Sequence, residues 1–202
     1  ISSVVDRIGK AIIIDKKEAP PVFLNVLIIA TIIVMFLKVN QQFSLGPKEQ
    51  SIWIYGNRNP FVESSLVAEK VKEITKDSDK IFVAGSEPQI YYYSKRLSIS
   101  RFDITYPLII DSPVREKYQN ELIQEFEKEL PKAIVYSNRE ESGLFNDESP
   151  QIFINYLNEL IKAKYSVVGG YFWEDDFNVH WEKLDNNPDR NGQASLLLYK
   201  LK

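Results

Sequence analysis

The sequence IFVAGSEPQIYYY, residues 81–93, decides the fold class of this chain. Its first four residues are continuously apolar, which is typical of a strand that is covered on both faces of a sheet. Gly85 then allows a tight exit from the strand, and Ser86 can cap a helix whose first turn holds Glu87 and Pro88. The stretch therefore predicts a strand-to-helix unit of an α/β domain.

Three more short apolar runs predict further strands. They lie at residues 133–136, 165–168 and 196–199. We expect strands 81–84 and 133–136 to be parallel and adjacent or nearly adjacent, because a helical pattern connects them. The last strand can be antiparallel, because only a loop or hairpin, residues 169–193, precedes it.

Helices are predicted between these strands by a capping residue that is followed by proline at the first helical position. The three starts are Asn59-Pro60, Ser112-Pro113 and Ser149-Pro150. Helices that alternate with doubly covered strands form βαβ units. The sequence therefore predicts a three-layer α/β domain with a mainly parallel sheet.

An apolar run precedes this domain. Residues 19–37 contain no charged residue, and residues 22–37 are apolar on every side of a helix. Pro20 and Pro21 mark a start, and Lys38 can extend to the far membrane surface. A bilayer core needs about 20 such residues, so we predict one transmembrane helix over residues 20–38. The alternative is a buried helix or central strand of a soluble protein.

The basic residues near this run predict its orientation. Four precede it and two follow it: Arg7, Lys10, Lys16 and Lys17, then Lys38 and Lys48. Because cytoplasmic flanks carry the excess of lysine and arginine, residues 1–19 are predicted to be a cytoplasmic or membrane-surface segment. Residues 39–202 then form an extracytoplasmic domain.

Composition excludes several classes of function. The net charge is −3 and no run of basic residues exists, so the chain is not expected to bind nucleic acid. There is no cysteine, and His180 is the only histidine, which excludes thiolate and multi-histidine metal sites. No glycine-rich nucleotide motif is present. We therefore predict neither a metal nor a cofactor.

A candidate ligand site follows the strand at residues 81–84, because ligands of open α/β sheets bind at the carboxyl ends of the strands. The candidate residues are Ser86, Glu87, Gln89, Tyr91, Arg101 and Tyr106. They could form a polar groove with aromatic walls that faces a sugar or the lipid headgroups. The alternative is a capped helix whose tyrosines pack against the sheet and whose Glu87 pairs with Arg101.

Four short motifs resemble the tail domain of GT-C glycosyltransferases. They are residues 59–63 (NPFVE), 81–91 (IFVAGSEPQIY), 100–102 (SRF) and 105–108 (TYPL). More narrowly, they resemble bacterial enzymes related to the dolichyl-phosphate-mannose protein mannosyltransferases and the lipid A aminoarabinose transferases. The resemblance covers residues 20–140, and the motifs occur in order directly after the predicted membrane helix.

The resemblance implies that the chain is the C-terminal part of a larger membrane enzyme that takes a sugar from a polyprenyl-phosphate donor. The catalytic acidic residues of such enzymes lie in an early extracytoplasmic loop, so no residue of this chain is assigned a catalytic role. The implied partners are membrane lipid, the rest of the parent protein and a lipid-linked sugar or its acceptor. Two alternatives are a single-span binding or sensory module and an independent soluble enzyme.

Overall fold

The computed structural model describes residues 21–56, 59–139, 142, 148–175, 178–184 and 192–202. The predicted segment 1–19 lies outside the described residues. In chain order the elements are α1 (Pro21–Phe43), α2 (Pro47–Tyr55), α3 (Phe61–Ile74), β1 (Ile81–Ala84), α4 (Gln89–Ser94), α5 (Tyr106–Ile109), α6 (Arg115–Lys128), β2 (Ala133–Ser137), α7 (Ile152–Lys164), β3 (Tyr165–Trp173), β4 (Val179–Lys183) and β5 (Leu196–Leu201). The chain divides into two compact units, Ile1–Gly46 and Pro47–Lys202.

The apolar run forms one continuous helix, as predicted, and α1 continues beyond residue 37 to Phe43. Its segment Phe23–Asn40 has a mean hydropathy of 2.2, and none of that segment is buried inside the protein. The hydroxyl of Thr31 donates to the Leu27 carbonyl at 2.8 Å, so this polar group is satisfied within the helix. By length and composition, α1 could cross a membrane or serve as a signal sequence.

The sheet is mixed, with the strand order β1-β2-β5-β3-β4. The predicted parallel pairing of β1 with β2 is confirmed, with Ile81 opposite Ala133. The other pairs are antiparallel, including those of the last strand, so the prediction of a mainly parallel sheet is wrong. β2 and β3 run in the same direction, as their helical connection requires. However, β5 lies between them and is antiparallel to both.

The segment expected to be a loop or hairpin contributes much of the sheet. β3 extends to Trp173, and β4 returns beside it, with Gly169 opposite Lys183. A Cβ atom on Gly169 would lie 2.4 Å from the Trp181 ring and 2.3 Å from the Glu182 carbonyl oxygen. Glycine therefore permits the close approach of β3 and β4 at the end of the hairpin that is farther from its turn.

The three predicted helices exist, but their starts differ from the prediction. They begin at Phe61, Arg115 and Ile152, which follow the prolines by one or two residues, and the residue before each helix makes no side-chain capping hydrogen bond. At the second helix, the Arg115 N–H donates to the Ser112 carbonyl, so a turn precedes the helix. The motif marks a turn into each helix rather than its first residue.

Apolar clusters cover both faces of the sheet. On one face, Val67 and Val71 of α3 and Ile90 of α4 pack against Ile81 and Val83. On the other face, α6 and α7 contribute Leu122, Phe126, Phe153, Leu157 and Leu160 against Phe82 and Ile134. Burial of these side chains is the main stabilising contribution to the domain. It fixes the carboxyl end of β1, where the candidate site begins.

Candidate functional site

A buried carboxyl group lies directly after β1. Glu87 is only 2% exposed. Its Oε2 accepts a hydrogen bond from the Ser142 hydroxyl at 2.9 Å, and the Ser142 oxygen in turn accepts from the Ser86 N–H at 3.1 Å. Burial raises the pKa of Glu87 to about 7, and the nearby Glu63 carboxylate adds to this effect against the two hydrogen bonds. The carboxyl group can therefore hold a proton near neutral pH.

Gly85 makes room for this carboxyl group. A Cβ atom at Gly85 would lie 2.2 Å from Glu87 Oε2, 2.6 Å from the Ser142 hydroxyl and 2.9 Å from the Ser137 Cβ. Position 85 therefore requires glycine, because the Glu87 side chain folds back over the backbone at this position.

A second buried carboxylate comes from the first turn of α3. Glu63 is fully buried and accepts a hydrogen bond from the Trp173 indole N–H. Arg139 Nη2 lies 3.8 Å from its Oε1. Among the described residues, Glu63 Oε2 and Arg139 Nε have no hydrogen-bond partner. Burial lowers the pKa of Arg139, and the Glu63 carboxylate opposes that shift. We call Glu63, Glu87, Arg139, Ser142 and Trp173 the buried polar cluster.

Gln89 connects the segment after β1 to the helix α3. Its side-chain amide donates to the Ser64 hydroxyl at 3.0 Å, next to Glu63 in α3. The structure thus brings the predicted residues Ser86, Glu87 and Gln89 together with α3. Ser86 does not cap α4, however, because that helix begins at Gln89 and has no side-chain cap.

Tyr91 faces the sheet. Its hydroxyl accepts a hydrogen bond from the Val83 N–H at 2.9 Å, and burial raises its pKa to about 12. The phenol therefore satisfies a backbone donor of β1, and it is a structural group at this position. Its helix neighbours Tyr92 and Tyr93 are exposed, with ring centroids 5.4 Å apart.

Arg101 lies on the surface, and its partner is Glu121 of α6. The ion pair spans 2.6 Å, and the arginine side chain is 55% exposed. The guanidinium group lies over the rings of Phe102 and Tyr118, at 4.2 and 4.9 Å from their centroids. This cation therefore packs against an aromatic surface.

Tyr106 begins α5 and is partly exposed. The residue before it, Thr105, donates its N–H to the Gly85 carbonyl at 3.2 Å. The Thr105 hydroxyl also lies 3.3 Å from that of Ser86. The loop that carries Tyr106 is therefore attached to the end of β1.

Glu63, Arg139, Ser142 and Trp173 were not among the predicted site residues. A sequence signal did exist for Glu63, because it precedes Val67 and Val71 by four and eight positions and shares their helical stripe. A carboxylate on a buried stripe needs a partner. The partners come from distant parts of the chain, and no local pattern indicates them.

A separate cavity of about 560 Å³ lies beside α7 and β5. Its described lining includes Tyr136, Asn138, Asn158, Lys162 and Tyr199. Burial raises the pKa of Tyr136, and it raises the pKa of Tyr199 to about 12. The cavity is large enough for a small organic molecule, with aromatic walls and a few polar groups.

Comparison with known proteins finds no match to a protein-family model, a curated protein or a solved structure.

Proposed function

We propose that this chain is the C-terminal part of a GT-C membrane glycosyltransferase. In this proposal α1 is a transmembrane helix, and Pro47–Lys202 is an extracytoplasmic accessory domain. The observation that carries the proposal is the exposed apolar surface of α1 over Phe23–Asn40. Water does not stabilise so long an apolar surface, whereas a bilayer supplies matching surroundings. The excess of basic residues before α1 favours an extracytoplasmic domain.

The arrangement of the motif segments supports the resemblance to GT-C tail domains. Segment 59–63 supplies Glu63, and segment 81–91 supplies Glu87, whose pKa responds to Glu63. Segment 105–108 is attached to Gly85 through the Thr105 N–H. Three segments that are separate in the sequence therefore converge at the end of β1. Convergence is expected of motifs that specify one structural unit.

A non-catalytic role agrees with the state of the two carboxyl groups. Glu63 and Glu87 are buried and already hold protein partners, so a substrate cannot reach them in this arrangement. A general base must lie within hydrogen-bond reach of the proton that it removes. The transfer chemistry is therefore assigned to the rest of the parent enzyme, with a polyprenyl-phosphate-linked sugar as donor. The domain would help to hold the donor or acceptor.

The test compares the parent enzyme with a protein of residues 47–202. We expect the parent to transfer sugar from a polyprenyl-phosphate donor and the isolated domain to transfer none. Turnover by the isolated domain would contradict the accessory role. A parent sequence without further membrane spans and an early acidic loop would contradict the transferase assignment.

A substitution in the parent tests whether the domain contributes to substrate binding. We expect Arg101→Ala to lower transfer while the melting temperature of the domain holds, because the guanidinium group is exposed and suited to a phosphate. Lys117→Ala, another exposed cation of the same surface region, is the matched control. If transfer survives, or decreases only together with stability, the domain is a scaffold.

The second candidate is a binding or sensory module that α1 anchors to a membrane. The cavity between α7 and β5 is the observation that favours it. A small-molecule screen against residues 47–202 tests it by the increase in melting temperature that a bound ligand causes. A ligand that binds while Tyr199→Phe weakens it would support this candidate. Many spans upstream of residue 1 would favour the transferase instead.

A further inference from the structure

The second helix, α2, exposes an apolar and aromatic surface. Only Ile52 of this helix is buried. Trp53 is 63% exposed, and Ile54 and Tyr55 are about half exposed. Phe61 lies against Tyr55 with ring centroids 4.8 Å apart and is itself exposed. We call Trp53, Ile54, Tyr55 and Phe61 the aromatic patch. Exposed large apolar side chains that are grouped in this way are typical of an interaction surface.

The covalent connection between α1 and α2 limits how far α2 can extend from Phe43. Only Ser44, Leu45 and Gly46 separate Phe43 from Pro47. An extended connection of this length reaches at most about 14 Å. The helix α2 itself has nine residues and is about 14 Å long. The start of α2 therefore lies within about 14 Å of Phe43, and the end that carries the patch lies within about 28 Å, a distance that allows it to reach the surface of a membrane that α1 enters.

The types of residue in the patch fit a lipid interface. Tryptophan and tyrosine concentrate where acyl chains meet headgroups, because each combines an apolar ring with a polar hydrogen-bonding group. The opposite end of α2 carries Lys48 and Glu49, which are exposed and suited to headgroups and water.

We propose that the aromatic patch lies in the headgroup region of the membrane that α1 enters. The patch then holds the domain against the membrane, in addition to the covalent connection. This proposal rests on the membrane anchoring in the proposed function, and it does not depend on the transferase activity.

The test uses the full chain in phosphatidylcholine and phosphatidylglycerol vesicles, with and without a lipid brominated on its acyl chains. Bromine quenches the fluorescence of nearby tryptophan. The chain has three tryptophans, Trp53, Trp173 and Trp181, so Trp53→Phe identifies the contribution of the patch. We expect brominated lipid to quench the wild-type chain and Trp53→Phe to abolish that quenching. Tyr92→Ser removes an exposed ring outside the patch, and it should leave the quenching unchanged.

Three results would overturn the proposal. If alkaline carbonate extracts the chain from the vesicles, the membrane anchoring and this proposal both fail. If the chain is retained but acrylamide in the water quenches Trp53 and brominated lipid does not, the patch faces solvent. If neither quencher reaches Trp53, protein covers the patch and the lipid contact is absent.

Discussion

Glu87 shows how one buried side chain can make the stability of the domain depend on pH. The carboxyl group loses water on folding and gains only the Ser142 hydroxyl and a backbone N–H in return. Its neutral form is therefore favoured in the folded chain. The raised pKa follows from this loss of hydration, so the same residue can be used to test the buried polar cluster.

The pKa of Glu87 rises from 4.5 to about 7, which corresponds to about 3 kcal/mol. Between these values the folded chain holds the proton and the unfolded chain has released it. The contribution of Glu87 to the free energy of unfolding is therefore greatest below pH 4.5 and decreases as the pH rises to about 7. Glutamine carries no such proton. We expect Glu87→Gln to remove this decrease in denaturation measurements on residues 47–202 from about pH 4 to 8.

Glu116→Gln is the control for Glu87→Gln, because Glu116 is an exposed glutamate on α6. It should preserve the pH dependence of the wild-type domain. If Glu87→Gln and wild type show the same dependence, the Glu87 carboxyl group is not held in the buried, protonated state.

Glu63 gives a second prediction for single residues. Its removal leaves Arg139 without its buried counter-charge and Trp173 without its acceptor. Loss of the partner of a buried polar group costs about 1–3 kcal/mol. We expect Glu63→Ala to lower the free energy of unfolding by about this amount, because Arg139 is partly exposed and 3.8 Å from the carboxylate, and to change the fluorescence of Trp173. Arg139→Met in the same chain should recover part of the loss, and a purely additive double variant would contradict the pairing.

At the scale of elements, one amide joins three helices. Gln119 of α6 is fully buried and donates at 2.8 Å both to the Leu108 carbonyl in α5 and to the Pro150 carbonyl before α7. Its Oε1 accepts from the Phe153 N–H of α7 at 2.9 Å. The amide therefore fixes how α5 and α7 pack against α6, a helix whose buried stripe is otherwise narrow.

We expect Gln119→Leu to destabilise the domain strongly, because it removes these three hydrogen bonds while it keeps an apolar side chain of similar size. Each buried polar group that loses its partner costs about 1–3 kcal/mol. The loss should therefore be at least about 3 kcal/mol in the free energy of unfolding. Lys117→Ala on the exposed face of α6 should change it by less than about 0.5 kcal/mol. A loss as small as that of Lys117→Ala would show that the amide network does not stabilise the domain.

The elements also show what the sequence could predict. β1 and β2 are short and buried on both faces, so their continuous apolar runs identified them. β4 is an edge strand with half-exposed residues, and its sequence VHWEK has no apolar run and alternates over only four residues, 179–182. The place of β5 between β2 and β3 depends on pairing between distant segments. Hydrophobic periodicity is local and contains no information about such pairing.

The candidate site likewise has one part that follows from local sequence and another that depends on contacts between distant segments. Ser86, Glu87 and Gln89 are close in the sequence, and one strand-to-helix turn brings them together. Ser142 is 55 residues from Glu87, and Trp173 is 110 residues from Glu63. Arg101 is closer to Glu87 in the sequence, yet the loop after β1 directs it toward Glu121. Contacts of this kind follow from the packing of whole elements and not from a local pattern.

At the scale of the whole molecule, the proposed membrane span of α1 can be tested by substitution. Lysine near the centre of a membrane helix costs about 2.5–3.5 kcal/mol for each residue. We expect Ile29→Lys combined with Ile32→Lys to abolish the retention of the chain in membranes after alkaline carbonate extraction. Ile29→Leu with Ile32→Leu is the matched control and should be retained. Equal retention of both variants would show that α1 does not span the bilayer.

The position of β5 in the middle of the sheet has a consequence for biosynthesis. β5 is later in the sequence than every other strand, yet it pairs with both β2 and β3. In a growing chain, the β1–β2 pair therefore has an unpaired edge on β2 until β5 has been translated. At about 5–20 residues per second, this interval lasts several seconds. During that time the nascent domain is an incomplete sheet that other chains could join unless a chaperone shields it.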